Sequence, residues 1–197
     1  MTLRALALTV LVLSPASASA QEWQVKPFLG LTFRGATTFV DPDDAAGDTH
    51  LAIGGSVTRL GEMIGLEADF GFVPGFFTGD QRGGFVSGSG VTTLTGNVVI
   101  ALPRRMTQYT LRPYIAGGLG LMRVRKDDVL AGPLTRHLMT IDFGGGATGF
   151  VTDTVGLSWD LRYFRNITGA PDPDNPGQSF GAPRLSFWRA TMGVVLR

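Results

Sequence analysis

The chain predicts an all-β fold, an eight-stranded antiparallel up-and-down transmembrane β-barrel, and three observations carry that prediction. An export leader precedes the body of the chain. The body separates eight times into an apolar row and a polar or small row with a period of two. The connections between those segments alternate between short and long.

The leader is read from its parts. Met1-Thr2-Leu3-Arg4 is a short positive head, Ala5 to Leu13 (ALALTVLVL) is apolar but for Thr9, and Ser14-Pro15 breaks the run before Ala18-Ser19-Ala20. The small-x-small end marks a signal peptide over 1–20 with cleavage before Gln21, leaving a barrel domain over 21–197. A helical anchor would need roughly 20 apolar residues, about twice this run. No cysteine follows the cleavage point, which excludes a lipid-anchored lipoprotein, disulfides and Cys-based metal sites.

Loss of Arg4 with the leader leaves 16 Lys+Arg against 16 Asp+Glu, a formally neutral body. Nucleic acid as a partner is excluded on that ground, because it requires a clustered basic face. With 28 Gly and 17% charged residues, the composition is poor for a soluble surface.

Residues 64–73 (IGLEADFGFV) show the alternation most cleanly: Ile64, Leu66, Ala68, Phe70 and Phe72 oppose Gly65, Glu67, Asp69 and Gly71. Residues 155–164 (VGLSWDLRYF) repeat it, with Val155, Leu157, Trp159, Leu161 and Tyr163 opposing Gly156, Ser158, Asp160 and Arg162. Six weaker segments follow the same rule. They begin near Gln24, Leu51, Thr93, Thr110, Met139 and Trp188. Short connections fall at 61–63, 103–108 and 152–154, and long ones near 35–49, 74–90, 125–137 and 167–184. Three short turns on one rim and four long loops on the other describe an up-and-down barrel with both termini at the short-turn rim.

A soluble lipocalin-like barrel would alternate as well, with its apolar face inward. The polar face here is crowded with Gly, Ser and Thr, which suits a packed lumen rather than a solvated exterior. The apolar rows carry no charge and match the about 9–11 residues of a membrane-spanning strand. Aromatic residues near strand ends (Trp23, Phe72, Tyr109, Tyr163, Trp188) read as an interfacial girdle. With "LRPYIAGGLGLM" in the fifth strand and "GLSWDLRYF" in the seventh, the chain resembles the OmpA/OmpX-type outer-membrane β-barrel superfamily. Members usually end in an aromatic residue; this chain ends Val195-Leu196-Arg197. The resemblance implies a bacterial outer-membrane location. No peptidoglycan-binding domain is expected after the eighth strand.

The polar rows hold eight charges: Lys26, Glu67, Asp69 and Arg112 near the short-turn ends, and Asp142, Asp160, Arg162 and Arg189 further up. Each group of four sums to zero. Eight strands leave room only for side chains, so these charges are expected to pair as a structural plug, with Asp142 opposite Arg162 and Arg189 opposite Asp160, or the diagonal equivalents. The alternative for these charges is a selectivity ring in a water-filled pore, and the second functional reading is a narrow channel or conduit for small solutes, hydrophobic ones included.

No catalytic motif, metal site or cofactor site is found. Gly144-Gly145-Gly146-Ala147-Thr148-Gly149 matches G-x-G-x-x-G, but a strand and turn follow where a helix would be needed. Membrane-barrel lipid A deacylases and palmitoyltransferases set a His beside a Ser, and neither His50 nor His137 has that arrangement. Asp41-Pro42-Asp43-Asp44 and Asp172-Pro173-Asp174-Asn175 lack the spacing of a calcium loop and read as turn chemistry. Phe76-Phe77, in the second long loop, is apolar, and contact with the headgroup layer or a partner is the minor reading of it. The expected role is structural or interactive, with outer-membrane lipid, lipopolysaccharide and a loop-mediated protein as partners, and not enzymatic.

Overall fold

The computed structural model describes residues 21–37, 49–76, 86–107, 111–128, 132–168 and 184–197. The signal-peptide reading of 1–20, the two acidic loop runs, Phe77 and Tyr109 lie outside the described residues.

Eight strands run in order: β1 Glu22–Thr37, β2 His50–Leu60, β3 Ile64–Pro74, β4 Val86–Ala101, β5 Leu111–Asp128, β6 Gly132–Phe150, β7 Val155–Thr168 and β8 Leu185–Leu196. Each pairs antiparallel with the next and β8 pairs back to β1, closing the barrel. A single 3₁₀ turn, Arg104–Met106, sits between β4 and β5. No helix among the described residues is long and apolar enough to cross a membrane.

The register sets the tilt. A circuit along hydrogen-bonded partners runs Val25, Val57, Ala68, Gly96, Leu119, Ile141, Arg165 and Ser186, and returns to β1 at Ala36. Closure therefore climbs eleven residues along β1, from Val25 to Ala36, towards the long-loop rim. Strands joined with such a stagger must lean across the barrel axis, and register partners sit at different depths.

Both faces have the parity read from the sequence. Leu29, Leu66, Ile115 and Leu119 are 57–66% exposed on the outer wall, while Lys26, Glu67, Asp69, Arg162 and Arg189 on the alternate positions are 5% exposed or less. A soluble barrel would have these reversed. An apolar exterior of this extent around a closed sheet is stable only against lipid.

One connection differs from the sequence reading. The stretch 125–137 is largely strand, because β5 continues to Asp128 and β6 begins at Gly132. Strands of 18 and 19 residues exceed the about 9–11 needed to cross a bilayer, so this hairpin projects past the belt as a ribbon. Its outward positions there (Arg123, Arg125, His137) are polar, so the apolar row that identifies a strand is missing.

Placing a cation on the lipid wall tests the parity directly. Leu29→Arg and Leu119→Arg should each destabilise the barrel by about 2–4 kcal/mol. Arg105→Ala, at the exposed turn rim, should stay within about 0.5 kcal/mol. Urea titration in lipid vesicles measures all three; equal effects would reject the assignment.

Candidate functional site

The lumen holds the chemistry. Its hub is Glu67 on β3, with its side chain fully buried. Lys26 Nζ on β1 lies 2.8 Å from Glu67 Oε2, and Arg162 Nη2 on β7 lies 2.6 Å from Oε1. Ser56 and Thr58 on β2 donate to Oε2 at 3.2 and 3.1 Å, and Asn97 Nδ2 on β4 donates to Oε1 at 3.3 Å. A carboxylate removed from water needs its lone pairs filled, and five groups from four strands do that here.

Arg162 also holds Asp160 in a two-pronged bond, Nε to Oδ1 at 2.7 Å and Nη2 to Oδ2 at 3.1 Å. Tyr114 OH donates to Asp160 Oδ2 at 2.7 Å. Asp142 Oδ2 stands 3.6 Å from Arg162 Nη1, an ionic contact longer than a hydrogen bond.

Arg189 forms a separate centre. Its Nη2 donates to both oxygens of Asp69, at 2.8 and 2.9 Å, across the lumen. Its guanidinium lies between the rings of Phe28 and Phe164, 4.7 and 4.6 Å from their centroids. Arg189 and Arg162 are direct register partners on β8 and β7, a like-charge juxtaposition that is unfavourable on its own. Each is drawn to a different carboxylate, and that separates them. Gly71 provides the room: a Cβ there would collide with Arg189 Nη1 and crowd Thr93 Oγ1.

The structure thus brings together seven of the eight charges singled out in the sequence, in a different arrangement. Asp142 does approach Arg162, but Arg189 takes Asp69 rather than Asp160. The two tiers interlock, with the upper arginines reaching the lower acids, because the stagger places register partners at different depths. Arg112 stands apart. Its Nε donates to the Leu102 carbonyl at 2.8 Å and its Nη2 to those of Gly61 and Glu62 at 3.2 and 2.5 Å, tying two short turns together. Without Arg112 the network has three cations and four carboxylates.

Above the charges the inner rows turn apolar. Val73, Val91, Met122, Leu138, Phe164, Leu185 and Phe187 form one buried cluster with Phe76. Phe164 stacks on Phe187 at 5.2 Å, and Phe76 packs on Phe187 at 5.2 Å and on His50 at 5.4 Å. Phe76 is 1% exposed, so the reading that has it meet headgroups or a partner is overturned: it caps the lumen. The signal was in the sequence, since Phe164, Phe187, Met122 and Leu138 share the parity of the polar rows.

The glycine run carries no site. Gly144 to Gly149 lie within β6, where a Cβ on Gly146 would crowd Tyr114 OH in the lumen. No three potential metal ligands cluster among the described residues.

No protein-family model matches the chain, and no curated protein matches it. Solved structures do. The chain is similar to Neisserial surface protein A, NspA, with a TM-score of 0.63 at 13% identity, covering 88% of this chain and 95% of that one. It is also similar to the outer membrane protein OprG of Pseudomonas aeruginosa (TM-score 0.55, 12% identity, 90% and 96% covered). The N-terminal β-barrel domain of OprF from the same organism gives 0.50 at 14% identity, with 89% and 98% covered.

The fold is that of the OmpA/OmpX-type outer-membrane barrels. Arg197 helps hold the seam at which β8 pairs back to β1. Its Nη1 lies 3.2 Å from Glu22 Oε1 on β1, its Nε donates to the Asp153 carbonyl, and its guanidinium covers the Phe150 ring at 4.3 Å. Arg104 pairs with the same Glu22.

The Arg189–Asp69 pair is the cleanest to test. Arg189→Ala strands a buried carboxylate and should cost about 3–5 kcal/mol. Adding Asp69→Ala should recover part of the loss, giving a coupling of about 0.5–3 kcal/mol in a double-mutant cycle. Additive single losses would show that the two side chains do not interact.

Proposed function

We propose that the protein is a non-conducting outer-membrane barrel whose role is structural or interactive, exercised through its outer wall and long-loop rim. The observation that carries this reading is a lumen filled at two levels. Lys26, Glu67, Asp69, Arg162 and Arg189 occupy the middle, and Met122, Leu138, Phe164, Leu185 and Phe187, each 1% exposed or less, occupy the long-loop end. The internal cavity below them, bordered by Gln24, Lys26, Thr58, Arg112 and Tyr114, has a volume of about 10 Å³. That is close to the space of one water molecule and not a path for solute.

An outer-membrane location is supported by the apolar wall and by the likeness of fold to small outer-membrane barrels. With the lumen closed, what remains to meet the environment is the wall, the β5–β6 ribbon and the long-loop rim. Lipopolysaccharide is the expected neighbour of the wall and a protein partner that of the loops. A non-enzymatic role is consistent with carboxylates and bases that are spent on one another inside the barrel.

Planar-bilayer recording tests the reading. Wild-type protein should give no steady ohmic current. Steady current, increased by the double substitution Phe164→Ala and Phe187→Ala, would replace this reading with the narrow channel.

A further inference from the structure

Arginines collect on the outer wall towards the long-loop rim. Beyond the apolar belt, towards the long-loop rim, Arg34, Arg123 and Arg165 are exposed, while Glu67, Asp69, Asp142 and Asp160 lie in the lumen and Glu22 and Glu62 at the short-turn rim. Neither Arg123 nor Arg165 has a carboxylate partner among the described residues. Among these residues the two signs are segregated.

The segregation has a focus on β7, β8 and β1. The register of β1 against β8 shifts between Phe33 and Ala36, and Arg34 within the bulge has φ 51°, in the left-handed region that a side chain disfavours. Beside this bulge is a cleft of about 200 Å³ bordered by Ala36, Tyr163, Arg165, Arg184 and Ser186. Arg165 and Ser186 are register partners, so a guanidinium and a hydroxyl flank the same opening. Directly below, towards the membrane, four aromatic rings run across four strands in register: Phe33, Trp188, Tyr163 and Phe143. Tyr163 lies 5.2 Å from Trp188 and 5.4 Å from Phe143.

We propose that this cleft binds the phosphorylated sugar headgroup of an outer-leaflet glycolipid, of the lipid A class, from the side of the barrel. The chemistry matches part by part. Guanidinium groups are suited to phosphate oxygens through paired N–H donors, and the Ser186 and Tyr163 hydroxyls add neutral donors. The flat faces of Tyr163 and Trp188 suit a sugar ring at the interface, where aromatic girdles sit. Leu161, Ala190 and Met192, on the same outward rows one step deeper, continue into the wall that acyl chains cover. The cleft stands where the apolar wall gives way to exposed arginines, the depth at which lipid headgroups begin. This inference rests on the outer-membrane reading above and adds the ligand and its place to it.

The test uses the full mature protein in phosphatidylcholine nanodiscs, titrated with bisphosphorylated lipid A, with dephosphorylated lipid A and with inorganic phosphate, and read by native mass spectrometry. Bisphosphorylated lipid A should remain bound to the wild type. Arg165→Glu should weaken it roughly tenfold or more, the loss of one charged hydrogen bond. Ser186→Ala should weaken it less, and Arg105→Glu at the opposite rim should leave it unchanged. Equal retention of the dephosphorylated lipid, or indifference to Arg165→Glu, would overturn the proposal. Binding of inorganic phosphate that lipid A cannot displace would overturn it too, by making the cleft a site for free phosphate. Heat-modifiable migration in SDS gels, run on the same samples, separates the two levels. A barrel that shifts but does not bind defeats this inference alone, and one that never shifts defeats the membrane reading beneath it.

Discussion

Eight strands closed with this stagger leave a bore only as wide as the side chains that fill it, and most other features follow from that constraint. Inside such a bore a charge cannot keep its hydration shell, so each must find a partner or be costly. Glu67 shows the solution most fully, with Lys26, Arg162, Ser56, Thr58 and Asn97 around one carboxylate. Room for these long side chains comes from opposing strands that present little: Gly71 yields space to Arg189, and Gly146 to Tyr114. The same narrowness sets Arg162 beside Arg189 and makes their separate carboxylates, Asp160 with Glu67 and Asp69, a condition of closure.

Outside, the constraint is inverted. The wall must satisfy its backbone in the sheet and offer apolar surface to lipid, and the closed ladder with Leu29, Leu66 and Leu119 outward does both. Function, on this account, moves to the places where the inversion ends. One is the apolar cluster of Phe76, Phe164 and Phe187 at the long-loop end of the barrel interior. The other is the set of exposed arginines on β1, β5 and β7, beyond the apolar wall.

Much of this was legible in the sequence because a period of two is local. Glu67 and Asp69 face one way and Leu66 and Phe70 the other whatever the rest of the chain does, so parity, strand number and the buried charges could be read directly. Partnership could not. Arg189 meets Asp69 from 120 positions away, and which acid it reaches depends on the stagger, which is a property of closure and not of any one strand. Arg112 has the right parity to join the network, yet it sits among turn carbonyls at the rim. The cap was missed for another reason. Phe164 and Phe187 share the inner parity, but an apolar residue on a polar row reads as noise until the depth of each position is known. The β5–β6 ribbon was taken as loop because, above the membrane, neither face needs to be apolar.

The central claim is that the lumen is dry and paired rather than wet and conducting. Side-chain ¹⁵N NMR of arginine-labelled protein in nanodiscs measures this most directly, through exchange of the Arg162 and Arg189 guanidinium protons with water. A paired, capped lumen predicts slow exchange at neutral pH for both, well below that of the rim residue Arg105 in the same sample. Exchange of Arg162 and Arg189 as fast as that of Arg105 would contradict it, and would mean that water reaches the middle of the barrel.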